Sequence, residues 1–457
     1  MDGRDQRIAE LEKKVEELTA LVLMLKEQLE RNSRNSGKPP SSDSPEQRAE
    51  RQGKGGAGGK RGGQPGHSGS KRELVPAEQV SEFKNLFPTE CANCWAELQP
   101  TPNALAQRFQ TIELPQPKAH ITEWLRHCVA CPRCSHETWA SIAPIPVSPF
   151  GPRLSAVIGL VTGVYHLSRR AAVGLLSDVL GIEISLGAVS AVEERVSEAV
   201  KPAVDEAWCK VEEASVKHTD GTTWYQSNVL CALWTIASSV ATVFKILADG
   251  QATTLGPLFG KKLGILVSDR ATAINFWAME KRQICWAHLL RKAISFSERD
   301  GPAGAFGREL LDYIGILFDY WHQFDKGQMS REHLRGLMAP VRLHVEALLE
   351  RGRDAQLRHV SGSCFDILKH RVALWTFVEQ AGVEPTNNHA ERELRAFVLW
   401  RKRSFGTQSE RGNLFAERLM TVTHTARKQK RNVLGFLTAC CTAARSGAAP
   451  PSLFAAA

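Results

Sequence analysis

Between residues 211 and 270 the chain reads as four strands in succession, and two of them end on an acid. EASVKHTDGTTWYQ, NVLCALWTIAS and ATVFKILADG are rich in β-branched and aromatic residues and are separated by turn formers. LGILVSDR adds a fourth apolar strand, and residues 275–381 then turn helical by periodicity. This succession predicts an α/β domain.

Asp220 closes the first strand and Asp269 the fourth. Acids at strand ends, just before loops, are where α/β enzymes place chemistry. Glu391 follows Asn387 and Asn388 in the first turn of a later helix. Carboxylates from two strands and one helix can hold two Mg²⁺ (or Mn²⁺) ions. Such a pair activates a water or a 3′-hydroxyl and stabilises the leaving oxygen during in-line attack on phosphorus. Strand-end aspartates also form turns and cap helices, so spacing alone leaves both readings open.

Net charge is +9, a modest hint of a polyanionic partner, and its placement says more. Six Lys or Arg and no acid fall between Arg51 and Arg72, and further basic runs lie at 392–403 and 427–431. Residues 32–72 are too polar and Gly-rich to fold alone. They read as a flexible basic linker, in which Lys54, Lys60 and Arg61 can lie on DNA phosphates.

Ahead of the linker, residues 1–31 carry a heptad seam. Ile8, Val15, Val22 and Leu29 take one set of positions, and Leu11, Leu18 and Leu25 the other. That pattern favours a parallel two-stranded coil and hence a homo-oligomer. The N-terminus has no apolar stretch of the signal-peptide kind, and no run of about 18 apolar residues appears, so a cytoplasmic chain without a membrane span is expected.

Five of the eleven cysteines fall between 91 and 134, as Cys91-x-x-Cys94 and Cys128-x-x-Cys131-x-x-Cys134. Paired knuckles of this kind let four thiolates converge on structural Zn²⁺. Cys91, Cys94, Cys131 and Cys134 are the preferred set, with Cys128 a spare thiol, in a zinc-binding segment at 73–145. Residues 146–205 read as helical. A helix ending at Gly181 and another opening near Leu186 have the spacing of a helix-turn-helix, though a plain helical hairpin fits equally well.

Six stretches occur in an order that resembles the insertion-sequence-66 family of bacterial transposases: RGGQPGHSG (61–69), the cysteine knuckles, HTDGTTW (218–224), LVSDRA (266–271), CWAHLLRK (285–292) and NNHAERELR (387–395). The resemblance implies a multidomain chain: an N-terminal coiled coil, a zinc-binding segment, a helix-turn-helix and an α/β ribonuclease-H-like catalytic domain. That domain is placed at 206–440, with a helical insertion at about 293–384 and a disordered tail at 441–457. The resemblance implies a DNA transposase that cleaves terminal inverted repeats and transfers 3′-hydroxyls to target DNA. Its catalytic acids, and the ligands of two Mg²⁺ ions, fall on Asp220, Asp269 and Glu391. Small companion proteins of the same element accompany transposition in the family, and a DNA-bound protein of this kind is expected on the nucleoid. The alternatives are an inactive DNA-binding regulator and a coiled-coil adaptor.

Supporting residues follow from the same motifs. Cys285 and His288 share a helix face, with His288 expected near the scissile phosphate or a flipped base and Cys285 packed beneath it. Arg392 and Arg395 follow the third acid; Arg395, one turn on, can grip a phosphate bidentately. Arg401, Lys402 and Arg403 extend the basic surface. Trp224 can stack on a base or belong to the core. Glu393 is the rival third acid, but about 200° of helical rotation separates it from Glu391, so both cannot face the same metals.

Overall fold

A computed structural model describes residues 3–36, 43–47, 72–102, 106–141, 148–260 and 263–454. Lys54, Lys60 and Arg61 lie outside the described residues. The chain forms two units, Met1–Ser44 with His120–Ala457, and Pro45–Ala119.

The first unit opens with α1 (Gly3–Glu30). Ile8, Leu11, Val15, Leu18, Val22, Leu25 and Leu29 are all exposed on it. A short hairpin, β1 (Cys128–Ala130) and β2 (Glu137–Trp139), follows. Then come α2 (Pro152–Gly163), α3 (Arg169–Leu180) and α4 (Leu186–Glu213). Gly181 ends α3 in the left-handed region at φ 63°, and the Ser185 side chain caps α4 by accepting the Ala188 N–H. Two helices joined by a short connection are therefore present, as either a helix-turn-helix or a plain hairpin requires. However, α4 runs on for 28 residues and buries Val189, Val192, Val196, Val200, Val204 and Val211. An expected boundary at 205/206 falls inside this helix, because its apolar stripe continues without a break into the core it shares with the sheet.

That sheet has five strands: β3 (Val216–Gln226), β4 (Val229–Ala237), β5 (Thr242–Leu247), β6 (Ile265–Ser268) and β7 (Arg282–Ile284). Their order is β5-β4-β3-β6-β7. The first three form an antiparallel meander, and β6 and β7 run parallel to β3. β7, only three residues long, gives too little alternation to be read from sequence.

After β7 come α5 (Trp286–Ser297), α6 (Gly301–Asp325), α7 (Arg331–Asp354) and α8 (Ser361–Leu368). They bury Phe296, Leu310, Leu317, Met338, Val345 and Leu349 in a second core that also takes in Val267 of β6 and Ile284 of β7. The chain returns through α9 (Asn388–Ser404), α10 (Glu410–Lys428) and α11 (Val433–Ser446). Residues 441–457 are not a loose tail in their described part. α11 extends to Ser446, Leu453 is 1% exposed in the core, and its N–H donates to Glu206 on α4 at 2.8 Å.

α10 closes the free edge of β5. The N–H groups of Thr242, Phe244 and Ile246 donate to Thr425 Oγ1, Thr421 Oγ1 and Glu417 Oε1 at 3.1, 3.1 and 2.6 Å. Alternate strand residues repeat every ~6.8 Å. Side chains four apart on a helix repeat every ~6 Å, close enough for three consecutive bonds. An edge that would otherwise invite another strand is thus satisfied within the chain.

Candidate active site

The register of the parallel strands brings the two aspartates together. Val216 pairs with Ile265, Lys217 with Leu266 and His218 with Val267. Continuing that register by two residues sets Asp220 beside Asp269, on strands about 4.8 Å apart and on the same face. Asp269 follows the last residue of β6. Asp220, expected at a strand end, lies inside β3, which continues against β4 to Gln226. The parallel pairing stops at His218, and this exposes Asp220 to the site. Gly221 leaves room next to it: a Cβ there would stand 3.0 Å from the Trp234 ring on the neighbouring strand, which would have to give by a few tenths of an ångström.

The third acid arrives on α9. This helix buries Ala390, Leu394, Phe397 and Trp400 and carries Arg401, Lys402 and Arg403 in its last turn, where cations suit the helix dipole. Its entry is fixed by Asn387, fully buried. The Asn387 Nδ2 donates to the Thr219 carbonyl at 2.8 Å, one residue before Asp220, and its N–H donates to Cys285 Sγ at 3.2 Å. One residue thereby ties α9 to β3 through its side chain and to the start of α5 through its backbone. NNHAERELR directed attention to the acid and left this role of Asn387 unread.

Glu391 and Glu393 have opposite surroundings. Glu391 is half-buried with His288 Nδ1 at 3.9 Å and Arg291 Nη2 at 3.6 Å, and its Oε1 is buried without a hydrogen bond. Glu393 points to α10, where it meets His424 at 2.5 Å and Lys428 at 3.1 Å, with His389 3.8 Å away. Burial opposes the Glu393 charge, but the His424 hydrogen bond and the Lys428 ammonium outweigh it and hold its pKa at about 2.

Asp220 is shifted the other way. Burial, then the negative charges of Asp269 and Glu391, push its pKa up to about 7. Asp220 therefore feels both other acids, although the oxygens of the three do not all come within 4.8 Å; among the described residues that spacing is met by Cys285, His288 and Glu391. Cys285 is a poor metal ligand here. Burial pushes its thiol up to about 11, and its sulfur already accepts the Asn387 N–H. It packs at the joint of α5 and α9. His288 is kept below its ordinary pKa by burial and then by Arg291, so its imidazole is neutral at neutral pH.

Two arginines that motif reading passed over border the acids. Arg291 on α5 faces Glu391 and acts on Asp220. Arg282 on β7 is fully buried beneath Asp269 and donates to its carbonyl at 3.2 Å. By contrast, Arg392 is exposed and its charge falls on His218, His389 and Lys428. Arg395 is exposed one turn beyond Glu391, while Arg401 is committed to β3 through Thr222 Oγ1 at 3.1 Å and through Thr223. Lys402 and Arg403 are exposed, and Trp224 is core, fully buried with its Nε1 on Asn413 Oδ1 at 3.1 Å.

Each cysteine knuckle has the same local geometry. In the second unit, Cys91 N–H donates to the Ala96 carbonyl and Trp95 N–H to the Cys91 carbonyl, both at 2.9 Å, with Trp95 at φ 59°. In the first unit, Cys131 N–H donates to His136 at 2.9 Å and Ser135 N–H to Cys131 at 2.8 Å, with Ser135 at φ 57°. Backbone N–H groups, of Asn93 and Arg133 foremost, lower the Cys91 and Cys131 thiol pKa values. Cys128 stands apart on β1, paired with Trp139.

No described helix is long and apolar enough to cross a membrane. The chain has no match among curated proteins. Residues 3–73 match a family of unknown function. Residues 148–414 match the transposase IS66 family, a span that holds all three acids, Asn387 and the whole sheet. With more than half of its length inside that match, the chain belongs to the IS66 family of transposases, DNA-processing proteins.

Proposed function

We propose that this transposase is catalytically active: it cleaves transposon ends and joins the freed 3′-hydroxyls to target DNA through Asp220, Asp269 and Glu391. The observation that carries this reading is the nearness of the acids: Asp220 and Asp269 each lie two residues past the paired His218 and Val267, and the charges of Asp269 and of Glu391 on α9 both act on Asp220. We read the sheet as ribonuclease-H-like. The antiparallel meander continued by two parallel strands, with an acid on the central strand and another on its neighbour, supports this.

The donor set fits hard divalent cations. One oxygen of Glu391 is buried without a hydrogen bond, and burial, then the charges of Asp269 and Glu391, raise Asp220; a cation would engage that oxygen and offset the repulsion. Bound Mg²⁺ or Mn²⁺ would supply an activated nucleophile and charge stabilisation at phosphorus. Asp220 and Asp269 provide ligands from a rigid sheet. Glu391 completes the set from the helix side, and Asn387 sets the position of that helix. Arg291 can draw a phosphate oxygen toward the acids, and His288, neutral beside it, can donate or accept a hydrogen bond at the strand end. Zn²⁺ binding by each knuckle, Cys91 with Cys94 and Cys131 with Cys134, and self-association through α1 belong to the same proposal. The knuckle geometry and the exposed heptad seam support them.

The test is strand cleavage of DNA carrying the element's terminal inverted repeats, in Mg²⁺. Asp220→Ala and Asp269→Ala are expected to bind the ends as wild type does and to leave them uncut. Full cleavage by both variants would sink the mechanism and favour the regulator.

A further inference from the structure

We propose that Phe405 is a base-stacking residue for a DNA strand that runs along α9 away from Glu391; this rests on the DNA reading above and adds a contact to it. Phe405 caps the C-terminus of α9 at φ 57°, ψ 17°, a left-handed conformation that suits Gly or Asn and is uncommon for a bulky residue. Its ring is 75% exposed, so the strain is not offset by burial in the core. A phenyl group kept in an uncommon backbone region and left in water answers no need of the fold.

The loop that presents it is fastened on both sides. Phe405 N–H donates to the Arg401 carbonyl at 2.8 Å. Thr407 N–H donates to the Tyr225 carbonyl and Ser227 N–H to the Thr407 carbonyl, both at 2.9 Å, which joins this loop to the tip of the β3–β4 hairpin. Gly406, at φ 105°, lies so close to Tyr225 that a Cβ would be 2.0 Å from its carbonyl oxygen. Arg401 beneath is held on Thr222. The ring is therefore carried on a braced tip, as a stacking platform requires, and its ordering is complete before a base arrives.

Placement ties the tip to the acids. Fourteen residues separate Phe405 from Glu391, about 21 Å along the helix and within about 40° of the same face. Arg395 and Lys402 lie on that face between them, both exposed. A strand whose phosphates follow these two cations would cover that distance in about six nucleotides at ~3.4 Å each. In a closed duplex the base faces are covered by their neighbours, so the ring selects unpaired or opened bases, which cleavage and joining create. Aromatic stacking of this kind tolerates any base.

Phe405→Asn separates the two roles, because Asn accepts the left-handed conformation and lacks the ring. The probes are a 20-nucleotide oligothymidine and a blunt 20-base-pair duplex, with the full-length protein. Expected for Phe405→Asn are a raised melting temperature, at least about fivefold weaker binding of oligothymidine, and duplex binding within about twofold of wild type. Phe405→Trp should bind both probes as wild type does. Unchanged oligothymidine binding by Phe405→Asn, or equal losses on both probes, would overturn the proposal while leaving acid-dependent cleavage intact. Wild-type protein that binds neither probe would overturn the DNA reading as well.

Discussion

Glu391 and Glu393 stand two residues apart, about 200° around one helix, and each has the neighbours its task needs. Glu393 locks α9 to α10 through His424 and Lys428. Glu391 keeps an oxygen without a hydrogen bond and looks toward the aspartates. Glu391→Gln should therefore leave stability nearly unchanged and lower strand cleavage at least about a hundredfold, since even outer-shell partners of metals are worth 10–100-fold. Glu393→Gln should reduce stability and cleavage together, read by urea unfolding beside the same assay; a fully stable but inactive Glu393→Gln would reverse the two roles. Asp220 makes a pH prediction. Its pKa is raised in the folded protein, so the fold binds its proton more tightly than the unfolded chain does. Metal-free protein should lose stability as pH rises from about 4 to about 7. Asp220→Asn should remove that slope, visible as a melting temperature that exceeds wild type at pH 8 and matches it near pH 4.

At the scale of elements, the edge of β5 is the feature with the sharpest energetic consequence. Thr421 is fully buried and accepts the Phe244 N–H. Thr421→Val keeps the shape and strands that donor, at a cost of about 1–3 kcal/mol in urea unfolding. A loss below a few tenths would mean that water or a shift of α10 replaces the bond. This contact pairs residues 177 positions apart, and no local pattern announces it. The four strands with alternating or β-branched runs were legible, as were both aspartates and the helix of Glu391, because strand and helix periods are local. What stayed hidden depends on distant partners: the short β7, the mid-strand place of Asp220, Arg282 beneath Asp269, and Arg401 drawn onto β3. Leu453 was hidden for the same reason, since a small, Pro-rich ending looks loose until its single leucine is seen in the core.

Across the molecule, the sheet shares one core with α4, α10 and α11 and a second, through Val267 and Ile284, with α5 to α8. The N-terminal helix contributes to neither and presents its seam outward. Deleting residues 1–31 should lower the oligomeric state measured by light scattering without unfolding the rest; an unchanged mass would remove the coil from the account. If Asp220, Asp269 and Glu391 form one site for divalent cations, Mn²⁺ titration of full-length protein followed by electron paramagnetic resonance reads that site without DNA. Wild type is expected to bind Mn²⁺ saturably, in competition with Mg²⁺; Asp220→Asn and Asp269→Asn should abolish that binding and Glu391→Gln should weaken it. Wild-type binding curves in all three variants would contradict a shared site.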